Sequence, residues 1–223
     1  MQVLEFASGF LRQRAGAWLL LTPILALGLS GCQLGDASAS ARSQQLFKTC
    51  VPCHGQQGQG RPDLGAPNIA GMSAWYVQAQ LQNFRSGLRG MDFNDKEGMR
   101  MRPMALSLPY DADVQAIAEY VAGLPPVTHA PLPGGNAQAG QALFAVCSAC
   151  HGPSGAGNEA VKAPRLAGVD GSYLALQLEK YKSGIRGGNP QDTQGVLMRS
   201  AVATLSDDKA IQDVVAYVGT LKP

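Results

Sequence analysis

The chain repeats itself at a fixed offset of 97 residues, and this duplication limits the possible folds more than any other feature. The motif Cys50–Val51–Pro52–Cys53–His54 recurs as Cys147–Ser148–Ala149–Cys150–His151. The same offset relates further identical residues without any insertion: Phe47/Phe144, Gly58/Gly155, Gly60/Gly157, Pro67/Pro164, Ala70–Gly71/Ala167–Gly168, Tyr76/Tyr173, Gln80–Leu81/Gln177–Leu178, Ser86–Gly87/Ser183–Gly184, Arg89–Gly90/Arg186–Gly187, Leu108/Leu205 and Tyr120–Val121/Tyr217–Val218. The sequence therefore predicts one small domain that has been duplicated in tandem.

The boundaries of the two copies follow from composition. We predict domain 1 at residues 43–126 and domain 2 at residues 138–223, joined by a linker at residues 127–137. The linker lies in Pro125–Ala137, a stretch rich in proline and glycine. Positive and negative residues are interspersed and the net charge is only +2, so no basic stripe indicates nucleic-acid binding.

Both copies have helical signals and neither alternates like a strand, so we predict an all-α fold. A short first helix is expected at Ser43–Cys50, and Ser73, Ser172 and Ser206 are expected to begin later helices. Apolar residues at helical spacing predict a buried face on the last helix of each copy (Val114, Ile117 and Val121; Ile211, Val214, Val215 and Val218). The pairs Phe47/Tyr120 and Phe144/Tyr217 are expected to pack where first and last helices cross.

The amino-terminal residues predict export. Residues 1–31 contain the apolar run Ala15–Leu29, which is too short for a stable membrane span and is typical of a signal peptide. The run ends in Leu29–Ser30–Gly31–Cys32, which resembles the bacterial lipoprotein signal and implies lipid attachment at Cys32, with residues 32–42 as a tether. The alternative is ordinary cleavage near Ala37–Ser38–Ala39.

The two CxxCH motifs have four possible explanations. Structural zinc normally needs two CxxC pairs about 15–20 residues apart, whereas these pairs lie in different copies. A thioredoxin-like redox pair requires a βαβ setting, and plain disulfides leave the histidines unexplained. Covalent c-type haem accounts for every residue, because two thiols bond the porphyrin and the adjacent histidine faces the iron. We therefore predict two covalently bound haem c groups, held by Cys50, Cys53, Cys147 and Cys150, with His54 and His151 as axial ligands.

Small helical copies that begin with CxxCH resemble class I cytochrome c domains, and the tandem pair resembles the di-haem cytochrome c4 family. The resemblance extends from Ser43 to Pro223. It implies that Pro67 and Pro164 offer backbone carbonyl groups to the ring N–H of His54 and His151, which fixes the orientation of each imidazole.

The sixth iron ligand is predicted from the supply of side chains. The third histidine, His129, can serve at most one iron and is expected to be an exposed linker residue, and Cys32 lies in the signal region. Methionine remains. Five methionines belong to the first copy, and only Met101 corresponds to a methionine, Met198, in the second. Met101 and Met198 are the predicted ligands, with Met104 as the alternative in domain 1, one helical turn away.

Methionine–histidine ligation fills both axial positions, raises the reduction potential and favours electron transfer over catalysis. The resemblance implies a periplasmic electron carrier between a quinol-oxidising complex and a terminal oxidase, held at the membrane surface by lipid on Cys32. One alternative is a cytochrome subunit of a dehydrogenase complex. Another is an enzyme, either a di-haem peroxidase or a thiosulfate-oxidising dehydrogenase, but these usually need an open or unusually ligated haem.

Overall fold

The computed structural model describes residues 34–129 and 131–222, and in this part the chain is helical without a β-strand. Extended pairing in these residues is limited to two isolated bridges, Arg61–Ala66 and Asn158–Ala163, at equivalent positions of the two copies. The all-α prediction is therefore confirmed. Within the described part, no helix is long and apolar enough to cross a membrane. The predicted signal peptide and Cys32 lie outside the described residues.

The two copies have the same order of elements. Domain 1 contains α1 (Leu34–Phe47), α2 (Val51–His54), a 3₁₀ turn (Pro62–Leu64), α3 (Ala74–Ser86), α4 (Lys96–Leu106) and α5 (Asp111–Ala122). Domain 2 contains α6 (Ala137–His151), a 3₁₀ turn (Glu159–Val161), α7 (Gly171–Lys182), α8 (Thr193–Val202) and α9 (Asp208–Val218). Helix α1 begins inside the segment predicted as a tether, and Arg42 from that segment pairs with Asp113 of α5 at 2.5 Å.

The first helix is interrupted in domain 1 and continuous in domain 2. In domain 2 a single helix runs through the whole CxxCH motif, whereas in domain 1 the helix stops at Phe47 and restarts at Val51. Pro52 accounts for the break, because proline lacks the amide hydrogen and its ring obstructs the preceding helical turn. The equivalent position in domain 2 is Ala149, which a helix tolerates freely.

Aspartates rather than the predicted serines begin two of the helices. Ser73 does precede α3, without a side-chain capping bond. Helix α7, however, is capped by Asp170, which accepts from the Tyr173 amide, so the predicted cap Ser172 lies inside the helix. Likewise Asp207 caps α9 instead of Ser206. A carboxylate at a helix start both accepts an amide hydrogen and favours the helix dipole, so it displaces serine.

The core of each domain is centred on the crossing of its first and last helices. The rings of Phe47 and Tyr120 are 4.9 Å apart, and those of Phe144 and Tyr217 are 5.3 Å apart, which confirms the predicted aromatic pairs. Helices α6 and α9 approach closely at Gly140, where a Cβ atom would overlap the Asp213 carbonyl oxygen. The predicted apolar faces of α5 and α9 are buried here: Val114, Ile117, Val121, Ile211, Val214, Val215 and Val218.

The two domains are joined by hydrogen bonds that follow the repeat. Asn68 donates to the Gly168 carbonyl oxygen at 2.9 Å, and its counterpart Arg165 donates to the Gly71 carbonyl oxygen at 3.2 Å. Each donor therefore reaches the backbone of the other domain at the equivalent glycine. Core residues also cross the boundary, since Val169 of domain 2 packs into the apolar cluster of domain 1.

Candidate haem-binding sites

The histidine of each CxxCH motif is buried and held by one backbone hydrogen bond. His54 Nδ1 lies 2.9 Å from the Pro67 carbonyl oxygen, and His151 Nδ1 lies 2.8 Å from that of Pro164. A carbonyl oxygen can only accept, so Nδ1 carries the hydrogen and Nε2 keeps its lone pair. Burial lowers the pKa of both histidines, although the proline hydrogen bond opposes this shift. The lowered pKa favours the neutral imidazole, which is the form that binds iron.

The four cysteines of the motifs place one half-buried and one exposed sulfur in each domain. Cys50 and Cys147 are half-buried, whereas Cys53 and Cys150 are exposed. Burial, with a smaller contribution from Cys53, raises the pKa of Cys50 to about 11. Burial also raises the pKa of Cys147. The two half-buried thiols, Cys50 and Cys147, therefore lack the lowered pKa that characterises catalytic redox cysteines.

In domain 1, the CxxCH residues and the predicted methionine line the same cavity. The cavity has a volume of about 150 Å³ and its walls include Cys50, Cys53, His54 and Met101. Met101 is half-buried and packs against the apolar core of domain 1. The alternative ligand Met104 lines the same cavity but is 40% exposed. The structure thus brings the candidate ligands of the first iron together on one cavity.

Domain 2 has the same arrangement around a larger cavity. Cys147, Cys150, His151 and Met198 line a volume of about 610 Å³, which is larger because it continues along the interface to α3 of domain 1. Met198 packs against the core of domain 2, as Met101 does in domain 1. The Met101–Met198 correspondence that the repeat predicted therefore holds in location and in packing.

Two buried arginines form a polar wall between the cavities. Arg89 lines the domain 1 cavity and Arg186 lines that of domain 2, with 9% and 6% of their surfaces exposed. Each donates across the domain boundary: Arg89 to Gln177 Oε1 at 2.8 Å, and Arg186 to Gln80 Oε1 at 2.9 Å. The tyrosines Tyr76 and Tyr173 complete the network.

Each of these two guanidinium groups lies over an aromatic ring, Arg89 at 4.6 Å from the centroid of Phe84 and Arg186 at 4.6 Å from that of Tyr181, but neither is paired with a carboxylate of the described residues. Among the described residues, no carboxylate lies within 4 Å of Arg89 or Arg186, and Arg89 Nε is buried without an acceptor. Buried charges are normally paired, so the wall lacks anions. Haem carries two propionate carboxylates, and arginine is well suited to bind them. The residues on the wall therefore fit haem, and Arg89 and Arg186 would hold its propionates.

His129 has a more definite environment than the sequence predicted. Its side chain is 20% exposed rather than freely solvated, and Nδ1 lies 3.6 Å from Asp170 Oδ2. Asp170 is the residue that caps α7, so the linker rests against the start of that helix. His129 is not among the residues that line these two cavities.

The comparisons with known proteins agree with this geometry. The cytochrome c family model matches residues 40–125 and 137–222. The chain is 31% identical to the "Thiosulfate dehydrogenase electron acceptor" of Stutzerimonas stutzeri (strain A1501), over 92% of this chain and 94% of that protein. It is 30% identical to cytochrome c4 of Azotobacter vinelandii, over 89% and 96% of the two chains. The crystal structure of reduced recombinant cytochrome c4 from Pseudomonas stutzeri superimposes with a TM-score of 0.67, at 28% identity, over 82% of this chain and 98% of that one.

The fold and the two cavities define a tandem c-type cytochrome, and the chain belongs to the cytochrome c family. Its two-domain arrangement is that of cytochrome c4, and it carries two covalently bound haem c groups. Haem c supplies one-electron chemistry. The chain is accordingly an electron carrier that resembles cytochrome c4.

Proposed function

We propose that this chain is a periplasmic di-haem electron carrier in which Cys50 and Cys53 attach one haem and Cys147 and Cys150 attach the other. His54 and Met101 are the axial ligands of the first iron. His151 and Met198 are those of the second. The main support is the repetition of one arrangement: in each domain, a histidine with its Nε2 lone pair free and a methionine of the equivalent helix line the same cavity.

Filled axial positions make outer-sphere electron transfer the task of both irons. The protein contributes orientation through Pro67 and Pro164, since a ring N–H bonded to a carbonyl oxygen makes the imidazole a better donor to iron. It raises the reduction potential through methionine, which stabilises the reduced iron more than a second histidine would. We therefore infer two six-coordinate haems and no enzymatic activity of their own.

The proposed partners are a quinol-oxidising complex as electron donor and a terminal oxidase as acceptor, as the cytochrome c4 likeness suggests. A second candidate is electron acceptor to a thiosulfate-oxidising dehydrogenase. It is favoured by the similarity to the Stutzerimonas stutzeri protein of that name, which spans nearly the whole chain. Stopped-flow reduction separates the two: the oxidised cytochrome is mixed with a quinol-oxidising complex or with a thiosulfate dehydrogenase plus thiosulfate. The partner that reduces it orders of magnitude faster is the donor.

The function requires two haems that are each attached and methionine-ligated. We expect mass spectrometry after acid–acetone extraction to find both haems still bound to the chain. Redox titration with visible spectroscopy should then give two one-electron steps at positive potentials, and the ferric protein should show the far-red methionine–iron band. Retention of a single haem, or rapid binding of cyanide to the resting ferric protein, would contradict a six-coordinate di-haem carrier.

The membrane association is proposed to depend on lipid at Cys32. Several acyl chains anchor a protein firmly, whereas one chain binds only marginally, and the bacterial lipoprotein modification supplies several. We expect Cys32→Ser to move the cytochrome from the membrane to the soluble fraction or to block its maturation, while Ser30→Thr, at a neighbouring position, leaves it membrane-bound. A wild-type protein that is already soluble, with its amino terminus near Ser38, would refute the lipid anchor.

A further inference from the structure

Lys180 of domain 2 is buried in domain 1 between two carboxylates. Its ammonium group lies 2.5 Å from Asp95 Oδ1 and 2.6 Å from Glu97 Oε2. Only 5% of Lys180 and 3% of Asp95 are exposed. Both carboxylates belong to domain 1, while Lys180 is on helix α7. The group is therefore a buried ion cluster that connects the two domains.

Both acidic partners belong to the start of the helix that carries Met101. Asp95 is the N-cap of α4, and its Oδ1 atom accepts both from the Gly98 amide, at 3.0 Å, and from Lys180. Glu97 is in the first turn of α4, four residues before Met101. Residues four apart lie on the same side of a helix. Lys180 and Glu97 also line the same cavity as Met101 and His54. The lysine thus holds the capped end of the ligand helix from outside its own domain.

In domain 2, the described residues up to 222 form no equivalent cluster. Asp192 caps α8 through the Gly195 amide at 2.9 Å, just as Asp95 caps α4. The position that matches Glu97 is Gln194, however, and the position that matches Lys180 is Asn83. The pseudo-symmetry that governs the arginine wall and the aromatic pairs is broken here. Among the described residues, the ion cluster that reaches a methionine helix from the other domain is therefore found at α4 and not at α8.

Removal of the ammonium would leave the buried carboxylate of Asp95 without its cation, whereas Glu97, with 28% of its side chain exposed, would keep Arg100 at 3.6 Å. Breaking a buried ion pair leaves the remaining charge uncompensated. An unpaired charge on Asp95 is stabilised by reaching water, which draws its carboxylate away from the first turn of α4. A ligand is held tightly only when the residues around it fix the backbone that carries it.

We propose that Lys180 is a positioning residue for the sixth ligand of the first haem: docking of domain 2 fixes the start of α4 and thereby the Met101 sulfur. The inference rests on the proposed role of Met101. It makes methionine ligation of haem 1 dependent on an ion cluster across the interface between the domains, whereas the helix that carries Met198 has a glutamine and an asparagine at the matching positions, Gln194 and Asn83.

The test is to replace Lys180 in the full di-haem protein and to examine both irons. We expect Lys180→Leu to remove about half of the far-red band of the ferric protein, because one of two irons loses its methionine. One reduction potential should fall while the other stays near its wild-type value. Lys180→Arg, which keeps the charge, should restore most of the band. Lys182→Leu is the control, because it removes an exposed lysine from the same helix.

The outcomes distinguish this inference from the proposed function. A wild-type protein with methionine bands from both haems, together with an unchanged band and unchanged potentials in Lys180→Leu, would overturn the positioning role and leave the carrier function intact. A wild-type protein without the far-red band would overturn both. Equal loss of the methionine band at both haems, with equal shifts of the two reduction potentials, would also overturn the positioning role. A general loss of folding affects both domains in this way.

Discussion

Replacing Met101 with leucine is expected to lower one of the two reduction potentials by on the order of 100 mV or more, within the roughly 0.8 V range that axial ligands span. The thioether stabilises reduced iron, and leucine fills a similar volume without a donor atom. About half of the far-red methionine band should disappear, because one of two irons keeps its methionine. Redox titration followed by visible spectroscopy measures both effects on one sample.

Met104→Leu is the matched control for this prediction. Met104 lines the same cavity, one helical turn further along α4, but it is 40% exposed and its counterpart in domain 2 is Ala201. We expect Met104→Leu to leave both potentials near their wild-type values. Met198→Leu should reproduce the Met101 effect at the other haem. The opposite pattern, with Met104→Leu changing the spectrum and Met101→Leu silent, would show that the repeat assigns the wrong methionine.

The repeat made the candidate ligands predictable because it compares two environments in one chain. Composition alone could not choose among the methionines of domain 1. The offset could, because it pairs Met72, Met91 and Met99 with Val169, Gly188 and Val196, which have no donor atom for iron in their side chains. The structure adds a physical distinction: Met91 and Met99 are 59% and 41% exposed. The helices and their buried faces were predictable from another signal, because apolar residues at helical spacing indicate the face that is buried.

The positions that sequence reasoning missed are those where charge and tertiary structure decide. Asp170 and Asp207 cap their helices although a serine lies one or two residues away. Residue type alone does not show whether the aspartate or the serine is the cap. Lys180 is one of two lysines near the end of helix α7, and only its contacts with Asp95 and Glu97 give it a role. Its counterpart Asn83 differs, so the repeat provides no signal for it.

Arg89 and Arg186 did leave a signal in the sequence, which becomes meaningful only with burial. Both are identical across the repeat, as are Tyr76/Tyr173 and Gln80/Gln177, which form the wall with them. Polar residues repeated at the same offset as the haem motif indicate that the two sites use these side chains in the same way. Sequence cannot show that the guanidinium groups are buried, and burial is what turns an ordinary arginine into an anion site.

The second large effect is expected when Arg186 loses its charge. In Arg186→Gln the wall keeps a polar side chain, but a propionate held there would be left buried and unpaired. Breaking a buried ion pair from one side costs about 3–5 kcal/mol, so the free energy of unfolding of the haem-bound protein should fall by that amount. A positive charge near a haem favours the reduced state, since reduction adds an electron. Its removal should therefore lower the potential of the adjacent haem.

Denaturant unfolding of the haem-bound protein and redox titration measure the two consequences of Arg186→Gln independently. Arg61→Gln is the matched control, because Arg61 pairs with Asp63 in an exposed position where an ion pair contributes only about 0–1 kcal/mol. Arg186→Lys should fall between the wild type and Arg186→Gln, since it keeps the charge but loses the planar fork that binds a carboxylate at two points. If Arg186→Gln behaves like Arg61→Gln in both measurements, the guanidinium groups are satisfied by Gln80, Gln177 and the tyrosines alone. The propionates must then be bound by other residues.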